Sequence, residues 1–333
     1  MSHRRIAVVL GGRSSEHDIS VASAASVVAA LEGNGNEVIT VAIDRTGGWE
    51  LGSGRKAIEA SSRLPGSEVA TTLADVDVVF PVLHGPFGED GTVQGLLELA
   101  GVPYVGAGVL ASALCMDKDV FKSVMRDHGI PVTRNITLRT GDEPRNPYGY
   151  PCFVKPARLG SSVGITKAHD EDELRRGVVL AFEHDEKVLV EELVTGIEVE
   201  VGVLGNRRPV ASLPGEIVVT HNEWYDFVAK YDEGEMDLIV PARIPQEQIE
   251  RAQQLAVAAF VATDCEGMAR ADMFVREEDG EVLVNELNTI PGFTSTSVYA
   301  QLFEASGIPY AELLDRLAEL AVERFDRRGG LRY

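Results

Sequence analysis

Residues 6–10 (Ile-Ala-Val-Val-Leu) form an unbroken apolar run closed by Gly11 and Gly12, which predicts a strand buried on both faces and a turn over 11–15. Small apolar residues then recur on one face over 19–31, a helix that stops near Gly33, and 37–44 returns as a strand. This βαβ unit implies a parallel sheet with a right-handed crossover. A further apolar run at 76–83 adds a strand. The acidic turn Glu89-Asp90-Gly91 then leads into a helix over 92–100, whose positive end suits carboxylates. These elements predict half of a doubly wound fold that closes near residue 110.

Beyond it the pattern alternates: helix 118–128, strand 150–156, helix 171–184 and strand 187–193, with a Pro/Gly-rich connection at 141–150. Segments 198–204 and 209–218 read as paired strands. Residues 221–235 carry polar and aromatic side chains with neither helical nor strand period, which predicts a mobile loop. A long amphipathic helix over 246–263, strands at 268–276 and 281–287, and helices near 297–306 and 310–327 complete a third unit. No internal repeat or low-complexity tract is present. The expected domains are 1–110, 111–193 and 194–333.

Composition narrows the function. The chain has 333 residues, 44% hydrophobic and 25% charged, a globular balance long enough for two or three domains with a cleft between them. Its 52 acidic against 31 basic residues give a net charge of −21, which disfavours nucleic acid and anionic membrane surfaces as partners. No run approaches the roughly 18 apolar residues of a membrane span. The first apolar run is too short for a signal segment. Cys115, Cys152 and Cys265 are widely spaced, which argues against a disulfide framework or a structural zinc site. A cytoplasmic protein is expected.

Three familiar patterns need weighing. Gly106-Ala107-Gly108-Val109-Leu110-Ala111 fits the dinucleotide fingerprint, but it lies about 100 residues past the first βα turn and reads as a domain-linking turn. Gly160-Ser161-Ser162-Val163-Gly164 fits the hydrolase elbow without a buried helix after it, so a serine hydrolase acting through Ser162 is disfavoured. No Gly-Lys pair occurs, which excludes a Walker A loop. What remains at 159–164 is a loop of small residues after a strand carrying Lys155. Its free amides, two hydroxyls and a nearby ammonium make a phosphate cover, with an ordinary Gly/Ser hairpin as the plain alternative.

Downstream, Arg270-x-Asp272 sits on one expected strand and Glu286-x-Asn288 on the next. Period 2 puts each pair on one face, so a hairpin gathers two carboxylates and an amide oxygen. Side-by-side carboxylates repel unless a cation lies between them, and hard oxygen ligands suit Mg²⁺ bridging nucleotide phosphates. Two solvated strand faces are the plain alternative. The rigid turn 289–294 and the adjacent Arg270, suited to a phosphoryl group or an oxyanion, favour the metal.

Five segments in order, Gly11–Ser20, His84–Gly95, Lys155–Gly164, Tyr225–Tyr231 and Asn285–Ser297, resemble the D-alanine:D-alanine ligases of the ATP-grasp superfamily, over essentially the whole chain. The resemblance implies an α/β three-domain ATP-grasp fold, with an N-terminal parallel-sheet (Rossmann-like) domain followed by two α+β grasp domains holding the nucleotide between them. It implies that one D-alanine carboxylate takes the γ-phosphoryl group of ATP and that the amine of a second D-alanine attacks the acyl phosphate.

Carried over by position, the resemblance implies that Asp272, Glu286 and Asn288 hold two Mg²⁺ ions, with Mn²⁺ as a substitute, while Lys118, Lys155 and Lys230 contact phosphates. Adenine would use the hinge Glu191-Glu192-Leu193-Val194 and the walls Phe153 and Phe274, with Glu198 on the ribose; by sequence alone both phenylalanines read as plain core. Glu16 would bind the first substrate's ammonium, with His84 beside it, although a histidine at a strand end is often only structural. Ser161 and Tyr231 would hydrogen-bond with Glu16, Arg270 and the Gly292 amide would stabilise the oxyanion, and Ser297 would receive the second carboxylate. The 225–231 segment resembles that of dipeptide-forming members, so D-alanyl-D-alanine is expected over D-alanyl-D-lactate. A homodimer through the first domain is also implied. Glu192 and the short 141–150 connection depart from the family pattern.

Overall fold

The computed structural model describes residues 3–52, 65–219 and 236–332. The N-terminal sheet is built from β1 (Arg5–Gly11), β2 (Glu37–Ile43), β3 (Trp49–Gly52) and β4 (Val78–Val82) in the order β3-β2-β1-β4. β1 runs parallel to both β2 and β4, and β3 closes the edge antiparallel to β2. Helix α1 (His17–Gly33) connects β1 to β2, α2 (Ser67–Ala74) precedes β4, and α3 (Thr92–Ala100) follows it.

The continuous apolar run of β1 is explained by two cores, one on each face of the sheet. Ile6 and Val8 pack with Val27 and Leu31 of α1, whereas Ala7 and Val9 pack with Val69, Leu73 and Leu97 of α2 and α3. Successive side chains of a strand point to opposite faces, so a strand covered on both sides has no polar position.

Helices α4 (Val109–Met116) and α5 (Lys118–Asp127) lead to the second sheet, with Asp117 capping α5 by accepting from the Val120 amide at 3.1 Å. That sheet, of β5 (Asn135–Arg139), β6 (Cys152–Pro156), β7 (Thr166–Ala168) and β8 (Lys187–Glu192), is antiparallel in the order β5-β8-β6-β7. Helix α6 (Glu171–Phe182) covers one face through Leu174, Val178 and Ala181.

The third sheet contains β9 (Gly196–Gly205), β10 (Val210–Ala211), β11 (Gly215–Val219), β12 (Met236–Ile239), β13 (Gly267–Arg276) and β14 (Val282–Asn288). Its order is β12-β11-β9-β13-β14, with β10 also paired to β9. Helix α7 (Gln246–Ala262) packs Leu255, Ala256 and Phe260 on it. Helices α8 (Val298–Ala305) and α9 (Tyr310–Gly329) join the N-terminal core through Tyr299, Phe303, Leu313 and Leu317.

The parallel-sheet domain and two α+β layers are the expected architecture. Several details differ from the sequence reading. The single strand expected over 209–218 is two, because Pro214 has no amide to donate and Ser212 turns inward, its Oγ accepting from the Gly202 amide at 2.9 Å. Strands β3, β5 and β7 and helices α2 and α4 were not expected; β7, with three residues, is too short to show a period. The loop expected over 221–235 lies outside the described residues.

Candidate active site

A cavity of about 450 Å³ opens between the second and third sheets. Phe153 of β6, with Leu193 and Val194 just beyond β8, faces Ile217 of β11 and Phe274 of β13, so the walls are largely apolar. Glu198 lines it from β9, while Lys118, Lys155 and Glu286 line it with charge. An apolar slot with a few convergent polar groups is the usual form of a small-molecule site. The two phenylalanines are therefore cavity walls rather than plain core.

The acidic side of the cavity is set by strand register. Asp272 stands opposite Glu286 across β13–β14, Arg270 opposite Asn288, and on the other side β9 brings Glu200 opposite Asp272. The Arg270 guanidinium forks onto Asp272 at 2.7 and 2.8 Å and also reaches Glu200 at 2.8 Å. Asn288 donates to Asp272 at 2.9 Å. Lys118 Nζ sits 3.0 Å from Glu286 Oε2 and donates to the Leu159 carbonyl at 2.9 Å, linking this carboxylate to the loop at 159–164. Burial alone would lower the Lys118 pKa, but Glu286, with Glu191 and Glu89, outweighs it and raises it.

Among the described residues no group of three or more His, Cys, Asp or Glu side chains is placed to hold a metal ion. The candidate set is instead two carboxylates and an amide, and each carboxylate has a protein cation against it, Arg270 on Asp272 and Lys118 on Glu286. Hard oxygens already drawing positive charge are chemically suited to a divalent cation.

On the hinge side, Glu191 is clamped by two ammonium groups. Lys122 lies 2.9 Å from Oε1 and Lys155 2.5 Å from Oε2. Burial would raise the Glu191 pKa, yet the two lysines hold it low. Burial pulls Lys122 down to about 8, with Glu191 opposing. Glu192 is bound by Arg134, whose backbone amide and Nε donate at 2.8 and 2.6 Å. The hinge carboxylates are thus tied to protein cations, and Glu191, Glu192, Leu193 and Val194 all line the cavity.

The third part of the site joins the N-terminal domain. Glu16, buried at the N-terminus of α1, accepts a hydrogen bond from Ser161 Oγ. Ser161, Ser162 and Gly164 have φ of 50°, 58° and 71°, so the loop holds two side chains in the left-handed region, where strain concentrates at functional sites. Ser14 Oγ donates to the His84 carbonyl at 2.7 Å, and His84 Nδ1 lies 2.9 Å from the Ile290 carbonyl. His84 Nε2 is buried and has no hydrogen-bond partner among the described residues. Burial lowers the His84 pKa, so the ring is neutral. Glu89 accepts from the Gly85 amide at 3.0 Å, and burial, with Glu16 nearby, pushes its pKa up to about 8.

The 289–294 turn is pinned to the same place. The Phe293 amide donates to Ser23 of α1 at 3.3 Å, and Ser297 Oγ accepts from the Thr294 amide at 2.9 Å. A Cβ on Gly292 would stand 3.3 Å from Ser297 Oγ, so these two residues are neighbours. Lys230 and Tyr231 lie outside the described residues.

The decoy motifs resolve simply. Gly108 precedes α4, and the Gly106 carbonyl accepts from buried Arg324 of the last helix, so this turn is packed against its own chain. The Gly160–Gly164 loop runs into the short strand β7 rather than a helix. Lys122 and Glu200 were not among the expected site residues, and Glu89 was expected only at a helix start. Lys122 stands four residues after Lys118 on one helix face and Glu200 two after Glu198 on one strand, signals that a period-based search can find.

Two family models cover most of the chain. One described as the D-ala D-ala ligase N-terminus matches residues 5–107, and one described as the D-ala D-ala ligase C-terminus matches residues 124–319. A D-alanine–D-alanine ligase of Solibacter usitatus is 46% identical over 336 residues, spanning 99% of this chain and 98% of that one. The structure of the D-alanine-D-alanine ligase from Coxiella burnetii matches with a TM-score of 0.84 at 36% identity, covering 99% of this chain and 97% of that one. The ligase from Bacillus anthracis complexed with ATP matches with a TM-score of 0.79 at 29% identity, covering 98% and 100%.

Proposed function

The chain belongs to the D-alanine–D-alanine ligase family, and on that premise we propose how its residues join two D-alanines as ATP becomes ADP and phosphate. The nucleotide occupies the cavity between the second and third sheets, its base between Phe153 and Phe274 beside Leu193 and Val194, and its ribose at Glu198. Lys118 and Lys155 meet its phosphates, with Lys230 added from the 221–235 segment. Asp272, Glu286 and Asn288 would hold two Mg²⁺ ions, or Mn²⁺ in their place; when bound, such ions neutralise and align the phosphates.

The first D-alanine lies between Glu16 and the β13–β14 carboxylates. Glu16 takes its ammonium, neutral His84 borders it, and Ser161 with Tyr231 closes the loop over it. Its carboxylate attacks the γ-phosphorus and ADP leaves. The amine of the second D-alanine, whose carboxylate Ser297 receives, then adds to the acyl carbon. Arg270 and the Gly292 amide stabilise the oxyanion, and collapse breaks the bond from the acyl carbon to the phosphate oxygen, so that phosphate leaves with the proton given up by the amine and the peptide bond remains. The resemblance of the 225–231 segment to that of dipeptide-forming members supports D-alanyl-D-alanine over the D-lactate ester as product.

One observation carries this reading: Lys118, on the cavity wall, touches both Glu286 and the Leu159 carbonyl, so the acidic pair and the Gly/Ser loop belong to one site. The test is purified protein with ATP, Mg²⁺ and D-alanine. Release of phosphate with formation of the dipeptide is expected. Turnover with another amino acid but none with D-alanine overturns the substrate, and fluorophosphonate labelling at Ser162 overturns the reaction class.

Domains divided at 1–110, 111–193 and 194–333, a cytoplasmic location and a homodimer complete the proposal. The family resemblance supports a subunit contact on the first domain, which light scattering tests. No helix among the described residues is long and apolar enough to cross a membrane, and the charge of −21 opposes nucleic acid.

A further inference from the structure

We propose that Lys122 is the standing counter-ion of Glu191, and that it frees Lys155 to exchange Glu191 for the phosphates of a nucleotide. This rests on the nucleotide reading of the cavity above.

The geometry separates the two lysines sharply. Lys122 is fully buried and does not line the cavity. Its ammonium is held 2.9 Å from Glu191 Oε1, donates to Thr133 Oγ1, and lies 3.5 Å from Asn285 Oδ1. Its ammonium is thus held by an ion pair to Glu191 and hydrogen bonds to Thr133 and Asn285, and its full burial keeps it away from a ligand in the cavity. Lys155 lines the cavity and meets the other oxygen of the same carboxylate, at 2.5 Å. Register explains the sharing: Phe153 stands opposite Glu191 across β6–β8, and Lys155, two residues on, takes the diagonal position on the same face.

A buried carboxylate left without a partner is strongly unfavourable. If Lys155 were the sole partner of Glu191, any phosphate drawing it away would strand that charge. With Lys122 fixed on Oε1, Lys155 can turn toward an anion while Glu191 stays neutralised. The cluster, two cations against one anion, carries one positive charge in excess beside the cavity, which suits an anionic ligand and not a purely structural ion pair. Lys122 is thus a positioning residue that never touches substrate.

The experiment measures binding of ATP with Mg²⁺, and of adenosine, by calorimetry on the full-length wild type and on Lys122→Met. The dissociation constant for ATP is expected to rise roughly 30-fold or more, the order seen when one partner of a buried charged pair is truncated. That for adenosine, which has no phosphate, is expected to stay within about twofold of wild type. Adding Glu191→Gln to Lys122→Met removes the stranded anion and is expected to recover at least about tenfold of the lost ATP affinity, read relative to adenosine on the same variant so that any change at the hinge itself cancels. If Lys122→Met does not fold, the double variant carries the test and is expected to fold and bind ATP. Equal loss of ATP and adenosine affinity, unchanged ATP affinity in folded Lys122→Met, or a folded double variant that binds ATP no better than the single one or not at all, overturns the proposal. A wild type that binds no ATP fails the nucleotide reading instead and shows before any variant is made.

Discussion

Ser161 Oγ donates a hydrogen bond to the Glu16 carboxylate across 145 positions of sequence, tying the Gly/Ser loop after β6 to the start of α1. Ser161 also lines the nucleotide cavity. One hydroxyl thus connects the groups assigned to the first substrate's ammonium with those that cover phosphates.

Replacing Ser161 with Ala is therefore expected to lower kcat/KM for D-alanine roughly 10- to 100-fold, the range for a hydrogen bond to a buried charge. The unfolding midpoint should move little, because the loop contributes little core. Kinetics at saturating ATP with D-alanine varied, beside a thermal melt, check this. Unchanged kcat/KM would show that the contact only decorates the loop.

Gly85 has φ of 70°, and a Cβ there would come 2.6 Å from Glu16 Oε2. Gly85→Ala must both strain the backbone and displace that carboxylate. KM for the first D-alanine is expected to rise about tenfold or more while stability falls by only about 1–2 kcal/mol. Initial rates and urea unfolding separate the two effects. A large stability loss with unchanged KM contradicts the placement of Glu16.

Glu286→Gln keeps the side-chain volume but removes the charge that faces Lys118 at 3.0 Å. Turnover is expected to drop by at least about a hundredfold, the order lost with one preorganised electrostatic group. The Mg²⁺ concentration for half-maximal rate should rise. Titrating Mg²⁺ against phosphate release tests both, and a variant with wild-type Mg²⁺ dependence removes Glu286 from the metal set.

Glu89 predicts a pH dependence of stability. Burial and Glu16 raise its pKa from the model-compound 4.5 to about 8, so between those values the folded state holds a proton that the unfolded state has released. Its contribution is greatest below pH 4.5 and is lost as pH rises toward about 8. Glu89→Gln, which cannot ionise, should gain stability relative to wild type progressively from pH 5 to pH 8. Denaturant unfolding without nucleotide or metal across that range measures it, and a constant difference between the two proteins would mean Glu89 titrates normally.

Much of this architecture is legible one segment at a time. The burial of β1 on both faces, the βαβ unit and the long helix 246–262 follow from apolar spacing. The face shared by Arg270 and Asp272 follows from strand period, and the register of the hairpin then brings Glu286 opposite Asp272. The family resemblance supplied the residues that spacing cannot reach, such as Glu16. The three-residue strand β7 was missed because so few residues do not establish a period, and β5 because its polar and apolar residues Asn135-Ile136-Thr137-Leu138-Arg139 form no apolar run.

Local order and the chemistry available were written in the chain: which segments are strands, which faces carry acid, and where a glycine and serine loop follows a lysine. Tertiary structure alone decided which charge meets which. The insertion of β9 between β11 and β13 puts Glu200 on Arg270, β6 beside β8 puts Lys155 on Glu191, and α5, packed against β14, delivers Lys122 to the same carboxylate. Periodicity acts over a few residues, whereas ion pairing depends on sheet order and helix packing among segments far apart in sequence, which no local pattern encodes.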